Sequence, residues 1–160
     1  MRIKSLLLTL TASIIVFILT SCRVNNGDIG PLYGSWVLTE MKVDNEIYTE
    51  WKSDGYDNTF FKFQNNICEI MRTNDRLDTD SRVCTWQWVT EDTEIELNFT
   101  HTDDRFPEPG GYLYNAPDWL LLDGPGLYKF NVKWNGEKNF VWTTVNNKGQ
   151  QLAYTLKKTF

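Results

Sequence analysis

Glu94-Ile95-Glu96-Leu97-Asn98-Phe99-Thr100 sets Ile95, Leu97 and Phe99 on one side of an extended chain and Glu94, Glu96, Asn98 and Thr100 on the other. Successive side chains of a β-strand point to opposite faces, so this stretch reads as a strand with one face in a core and one in water. Just upstream, Cys84, Trp86 and Trp88 alternate with Thr85 and Gln87, and Glu91-Asp92-Thr93 turns the chain between the two runs. The pair is predicted to form a hairpin.

The same pattern spreads outward in both directions. Tyr128, Phe130, Val132 and Trp134 alternate with Lys129, Asn131 and Lys133, and Asn135-Gly136 is expected to form a type I′ turn. A strand carrying Phe140 and Trp142 follows, then the turn Asn146-Asn147-Lys148-Gly149, then Leu152, Tyr154 and Leu156 in alternation to the end. These last three strands should form a meander. Toward the front, Gly34 to Val43 and Glu46 to Trp51 flank Asp44-Asn45, and Thr59 to Gln64 and Ile67 to Arg72 flank Asn65-Asn66. Ala116-Pro117-Asp118 is suited to open one short helical turn. No sustained 3.6-residue repeat occurs, and about eight to ten short strands at regular spacing predict an all-β, antiparallel barrel or sandwich.

The first 21 residues have a different character. Arg2 and Lys4 precede an apolar run from Leu6 to Leu19, the order of a secretory signal. Leu19-Thr20-Ser21-Cys22 resembles the bacterial lipobox, which implies cleavage after Ser21 and lipidation of the Cys22 thiol. Stable membrane attachment takes two or more acyl chains, each buried CH2 adding about 0.8 kcal/mol. The expected organisation is a signal peptide over 1–21, a lipidated polar tether over 22–31 and a barrel domain over 32–160. Without the leader the chain keeps 139 of its 160 residues, enough for one domain with a substantial core. Loss of Arg2 and Lys4 takes the net charge from -5 to about -7, which argues against a nucleic-acid partner.

Cys68 and Cys84 lie on strand-like runs either side of the polar stretch Thr73 to Ser81, so a hairpin centred near Arg76 sets them opposite one another. In an oxidising compartment a cross-strand disulfide is the leading expectation. The alternative is a pair of buried reduced thiols. With one histidine in the chain, no metal site or cofactor is expected.

Leu32-Tyr33-Gly34-Ser35-Trp36-Val37-Leu38 resembles the opening strand of lipocalin-like barrels, whose Gly-x-Trp element packs its tryptophan across the barrel base. Together with Cys84-Thr85-Trp86-Gln87-Trp88, Glu94 to Thr100 and the closing Tyr154-Thr155-Leu156-Lys157-Lys158, it resembles the lipocalin-like lipoproteins of gut anaerobes. The resemblance implies a nearly closed up-and-down barrel, an outer-membrane lipid anchor and a small-molecule role. The chain departs from lipocalins proper in lacking a late arginine motif to pair with Trp36.

Of the seven tryptophans, Trp51 and Trp119 fall outside the clean alternation and are the candidate ligand-binding residues at a barrel mouth. The segment from His101 to Gly111 is the longest irregular run, a candidate lid. His101 beside Asp103 and Asp104 has the elements of a base and orienting acids, but no nucleophile accompanies it, and a solvated loop histidine is the simpler reading. Asp75, Asp78 and Asp80 supply oxygen ligands for calcium without the glycine and distal glutamate of a calcium loop. The expected function is non-enzymatic binding of a small molecule in the barrel, the alternative an envelope protein-interaction module with a filled barrel.

Overall fold

The computed structural model describes residues 30–101 and 115–159. The expected leader, Cys22 and most of the tether lie outside these residues, as does the segment from Thr102 to Gly111. A 3-10 turn, Gly30–Leu32, leads into nine strands: β1 (Gly34–Val43), β2 (Glu46–Ile47), β3 (Asn58–Gln64), β4 (Ile67–Thr73), β5 (Thr79–Thr90), β6 (Glu94–Asn98), β7 (Leu127–Trp134), β8 (Asn139–Val145) and β9 (Gln151–Lys158). Two further 3-10 turns, Glu50–Lys52 and Asp118–Leu120, interrupt the meander.

Every neighbouring pair is antiparallel, and β1 returns to pair with β9. That contact closes β1 and β3–β9 into an eight-stranded barrel, with β2 held on β1 alone through Lys42↔Ile47 and Val43↔Glu46. Closure removes the unpaired edges of an open sheet. The predicted all-β antiparallel barrel and its C-terminal meander are both observed.

One end, the base, carries the N-terminal 3-10 turn and the β3–β4, β5–β6 and β7–β8 connections. The other, the mouth, carries the segments 44–57, 74–78 and 146–150 and the connection from β6 to β7 that includes Trp119. The interior is aromatic. Trp36, Phe61, Phe63, Phe130, Phe140, Trp142 and Tyr154 are almost fully buried. Trp142 meets Phe61, Phe63, Phe130 and Phe140 at centroid separations of 5.4, 5.7, 5.1 and 5.3 Å. The barrel is filled with rings from its base to mid-height, in the edge-to-face and tilted arrangements that aromatic quadrupoles favour.

Local chemistry explains where the chain departs from simple alternation. A bulge between Leu38 and Glu40 leaves Thr39 unpaired with β9, where its hydroxyl donates to Thr155 O at 3.0 Å. Because a one-residue shift exchanges faces, Trp36 and Leu38 point inward before the bulge and Met41 after it. The Asp44-Asn45 turn has both central φ angles positive, 50° and 71°, as a type I′ turn requires. The expected type I′ turn at Asn135-Gly136 is corrected. Gly136 alone is left-handed, at φ 82°, and a four-residue connection is closed by Asn135 N–H donating to Asn139 O at 2.8 Å. The expected strand Glu46 to Trp51 is likewise shortened to Glu46–Ile47, and Trp51 sits in a 3-10 turn.

The Cys68–Cys84 prediction is half met. The two residues are direct partners between β4 and β5, about a turn centred at residue 76, but both are free thiols. Trp86 N–H donates to Asn66 O at 2.9 Å, which makes 66/86, and two residues on 68/84, hydrogen-bonded pairs. The Cβ atoms of such a pair lie toward the wide end of a roughly 4.5–5.5 Å range, beyond the roughly 3.8 Å typical of a relaxed disulfide. The Cys84 thiol instead approaches Cys68 O at 3.6 Å. Burial first, then Cys84 and the charge of Glu69, holds the Cys68 thiol well above the ordinary cysteine range.

Candidate functional site

At the mouth the inward phase of three adjacent strands turns from apolar to polar. Thr59 of β3 pairs with Arg72 of β4, and Arg72 pairs with Asp80 of β5, so the three form a row across the sheet. One step deeper, Arg82 of β5 is on the same face as Cys84 and Trp86. Arg72 Nε and Nη2 donate to Asp80 Oδ2 at 3.2 and 3.1 Å, and Arg82 Nη1 donates to Asp80 Oδ1. The Arg72 guanidinium also lies over two rings, 4.3 Å from the centroid of Tyr56 and 4.4 Å from that of Trp119, and Arg82 lies 5.1 Å from Trp119.

Trp119 reaches this position because Pro117 and Asp118 open the 3-10 turn and Leu121, left-handed at φ 58°, ends it. Tyr154 Oη donates to Leu120 O at 2.7 Å and pins the turn to β9. Burial and the nearby Tyr128 hydroxyl raise the Tyr154 pKa well above the ordinary tyrosine value. The turn packs against the Glu50–Lys52 turn, which brings Trp51 to the same end. Both predicted ligand-binding tryptophans are therefore at the mouth, and both are buried, Trp51 at 3% exposure and Trp119 at 6%. Among the described residues two polar atoms here have no hydrogen-bond partner, Thr59 Oγ1 and Trp119 Nε1. Each such buried atom costs about 1–3 kcal/mol.

Arg72 and Arg82 were not among the expected site residues, and Asp80 was considered only as a calcium ligand, although the signal was present. Cys84, Trp86 and Trp88 define the inner face of β5, and stepping back by two places Arg82 and Asp80 on it.

The base is built around Trp36. Its Nε1 donates to Leu32 O at 2.8 Å in the N-terminal 3-10 turn, and its ring meets Phe140 at 4.6 Å and Trp134 at 6.0 Å. Lys158 of β9 sets its ammonium 5.1 Å from the centroid of that ring. A late-strand cation thus covers the base tryptophan after all, as lysine in place of the missing arginine. An uncharacterized protein from Bacteroides eggerthii has a similar structure, with a TM-score of 0.56 at 17% identity over 79% of this chain and 98% of that one. The fold is a closed, eight-stranded antiparallel β-barrel. A lipocalin-like protein from Bacteroides uniformis aligns with a TM-score of 0.47 at 14% identity, covering 81% of this chain and 99% of that one. A redesigned β-barrel bound to DFHBI aligns with a TM-score of 0.42 at 16% identity, covering 82% and 98%. No family model matches the chain, and no curated protein does.

The other candidates fall away from the mouth of the barrel. His101 Nε2 is 2.9 Å from Thr85 Oγ1, a residue on the outer phase of β5, so its ring lies against the outside of the barrel. The remaining residues of the expected lid lie outside the described ones. The acidic run does not converge on a cation. Asp80 is held by the two arginines, and Asp78 accepts from Asn74 Nδ2 at 2.9 Å within the turn. Among the described residues no group of three or more acidic, histidine or cysteine side chains could hold a metal ion. A groove of about 400 Å³ runs over the outer face of β7–β9, lined by Lys129, Asn131, Thr143 and Gln151, and is separate from the mouth.

Proposed function

We propose that this chain is an extracytoplasmic lipoprotein, held at the outer membrane through Cys22, whose lipocalin-like barrel binds a small molecule at its mouth without catalysis. The observation that carries the binding reading is the convergence of Trp51, Trp119 and Tyr56 with the Arg72–Asp80–Arg82 row above an interior already filled with rings. Small-molecule sites are largely apolar and aromatic with a few placed polar groups, and this composition occurs at the mouth. The deeper interior has no such mixture, so the site is shallower than a carrier's central cavity. The position of His101 against Thr85 on the outer wall supports the non-enzymatic reading, because it separates the chain's single histidine from the mouth.

The anchor is tested by intact mass after expression in a bacterium. Diacylglycerol and acyl mass on a chain beginning at Cys22 is expected, and a full-length unmodified chain overturns it. The binding reading is tested by equilibrium dialysis of the full chain against 2-naphthamide, a neutral aromatic probe, with a detergent-only blank. Saturable binding that is lost in both Trp51→Ala and Trp119→Ala supports a mouth site. No binding, or binding indifferent to both changes, refutes it. The aromatic filling of the base favours a second reading, a protein-interaction module that uses its loops, and that second result is the one it expects.

A further inference from the structure

We propose that the mouth site takes an organic anion, a carboxylate or similar oxyanion on an aromatic or otherwise apolar body, and that Arg82 is its principal ligand. The inference rests on the mouth being the binding site and adds the chemical class of the ligand. Two guanidinium groups share one largely buried carboxylate, Asp80, which leaves one positive charge in excess at that depth. Asp54 is 3.7 Å from Arg72 Nη1 but is 73% exposed, where solvent screens it.

The arginines are not equally committed. Arg72 spends its Nε–Nη2 edge on Asp80 and also packs on the rings of Tyr56 and Trp119. Arg82 makes its hydrogen bonds to Asp80 and to Ser81 O, at 2.9 Å, through Nη1 alone. Among the described residues nothing accepts from its Nε–Nη2 edge. That edge presents two parallel N–H donors, the fork that matches a carboxylate in bidentate geometry.

An independent observation points to the same ligand chemistry. Trp119, whose ring packs on both guanidiniums, has an indole N–H with no acceptor, and the fully buried Thr59 hydroxyl opposite Arg72 has no partner either. An indole N–H can only donate, so what is missing beside it is an acceptor. An oxyanion with two or more oxygens supplies acceptors to Arg82 and Trp119 together, while the Trp119 and Tyr56 rings beside the arginines offer aromatic surface to its apolar body. The chain as a whole carries a net charge of -5, so the excess positive charge is local and is not a consequence of composition.

The test compares 2-naphthoate with 2-naphthamide, equal in shape and different in charge, by equilibrium dialysis against the full chain. Naphthoate is expected to bind about tenfold more tightly than the amide, and Arg82→Gln should bring that ratio close to one. Trp119→Phe keeps the ring and removes the N–H, and should weaken naphthoate severalfold. Raising salt from about 0.01 M to about 1 M shortens the screening length from roughly 30 Å to roughly 3 Å and should weaken naphthoate alone, a readout that needs no variant. Equal binding of both probes, with Arg82→Gln silent, overturns the anion inference and leaves the mouth site standing. Binding of neither probe overturns both.

Discussion

Replacing Arg72 with leucine removes a side chain that joins β4 to β5, to Tyr56 and to the Asp118–Leu120 turn. The change deletes two charge-assisted hydrogen bonds to Asp80, at 3.2 and 3.1 Å, and two guanidinium–ring contacts, at 4.3 and 4.4 Å. Hydrogen bonds to charged groups contribute about 1.5–3 kcal/mol net, and each cation–π contact about 0.5–1 kcal/mol near a surface. Asp80 keeps Arg82, so it is not left as an unpaired charge, and the leucine side chain retains part of the packing. Both donors share the single oxygen Asp80 Oδ2 and count together as about one such bond, so with the leucine's packing the expected loss is about 2–3 kcal/mol. For a domain between the small and medium size classes this is roughly 3–5 °C per kcal/mol, a fall in melting temperature of about 6–15 °C. Urea titration followed by tryptophan fluorescence measures it, because the lost contacts involve Trp119 itself. Arg72→Lys keeps the charge but not the planar fork, and should recover less than half of the loss. A Leu variant within about 0.5 kcal/mol of the parent would show that this cluster behaves as an ordinary exposed ion pair. A more stable variant would show that desolvation of the two arginines outweighs their pairing. Either result refutes the reading of the mouth as a structured polar site.

Stability should fall at alkaline pH. Burial raises the Tyr154 pKa, and burial with Cys84 and Glu69 raises that of Cys68. In both cases the folded state keeps a proton that the unfolded chain releases, so the stabilisation is complete below the unfolded pKa and declines as pH rises. The decline should begin near pH ~8.5 with the thiol and steepen above pH ~10 with the phenol. Tyr154→Phe should reduce the slope above pH ~10 by up to about 1.4 kcal/mol per pH unit, and an unchanged slope there would show that this phenol is not the group titrating. The thiols make a separate test. Native protein treated with iodoacetamide should stay unmodified at Cys68 and Cys84, which are 0% and 1% exposed, and unfolding without reductant should expose both to alkylation. Failure of both to react after unfolding would show that they are bonded to each other.

The strands were legible in the sequence because a half-buried sheet needs alternation, and alternation is a local property of the chain. The pairings of β3–β4, β4–β5 and β5–β6 were also legible, since short turns hold neighbouring strands in register; the turn centred at Arg76 and the opposition of Cys68 and Cys84 followed from that. Whether the two sulfurs bond was not legible, because it depends on which type of ladder pair they occupy, and that depends on the phase of hydrogen bonding along the hairpin. The bulge at Thr39, which exchanges the faces of β1, and the β1–β9 closure are likewise products of the whole sheet. The mouth shows the division most clearly. Trp51 and Trp119 stood out because they break the alternation, and Asp80 and Arg82 could have been placed inside the barrel by the phase of β5 alone. Their meeting with Arg72, Tyr56, Thr59 and Trp119 requires β3, β4, β5 and the residue-118 turn to converge. Sequence periodicity determines which way a side chain points from its own strand, and the β4–β5 hairpin joins Arg72, Asp80 and Arg82; only the tertiary fold sets the ring of Trp119, 47 positions from Arg72, within 4.4 Å of its guanidinium and turns that cluster into a site.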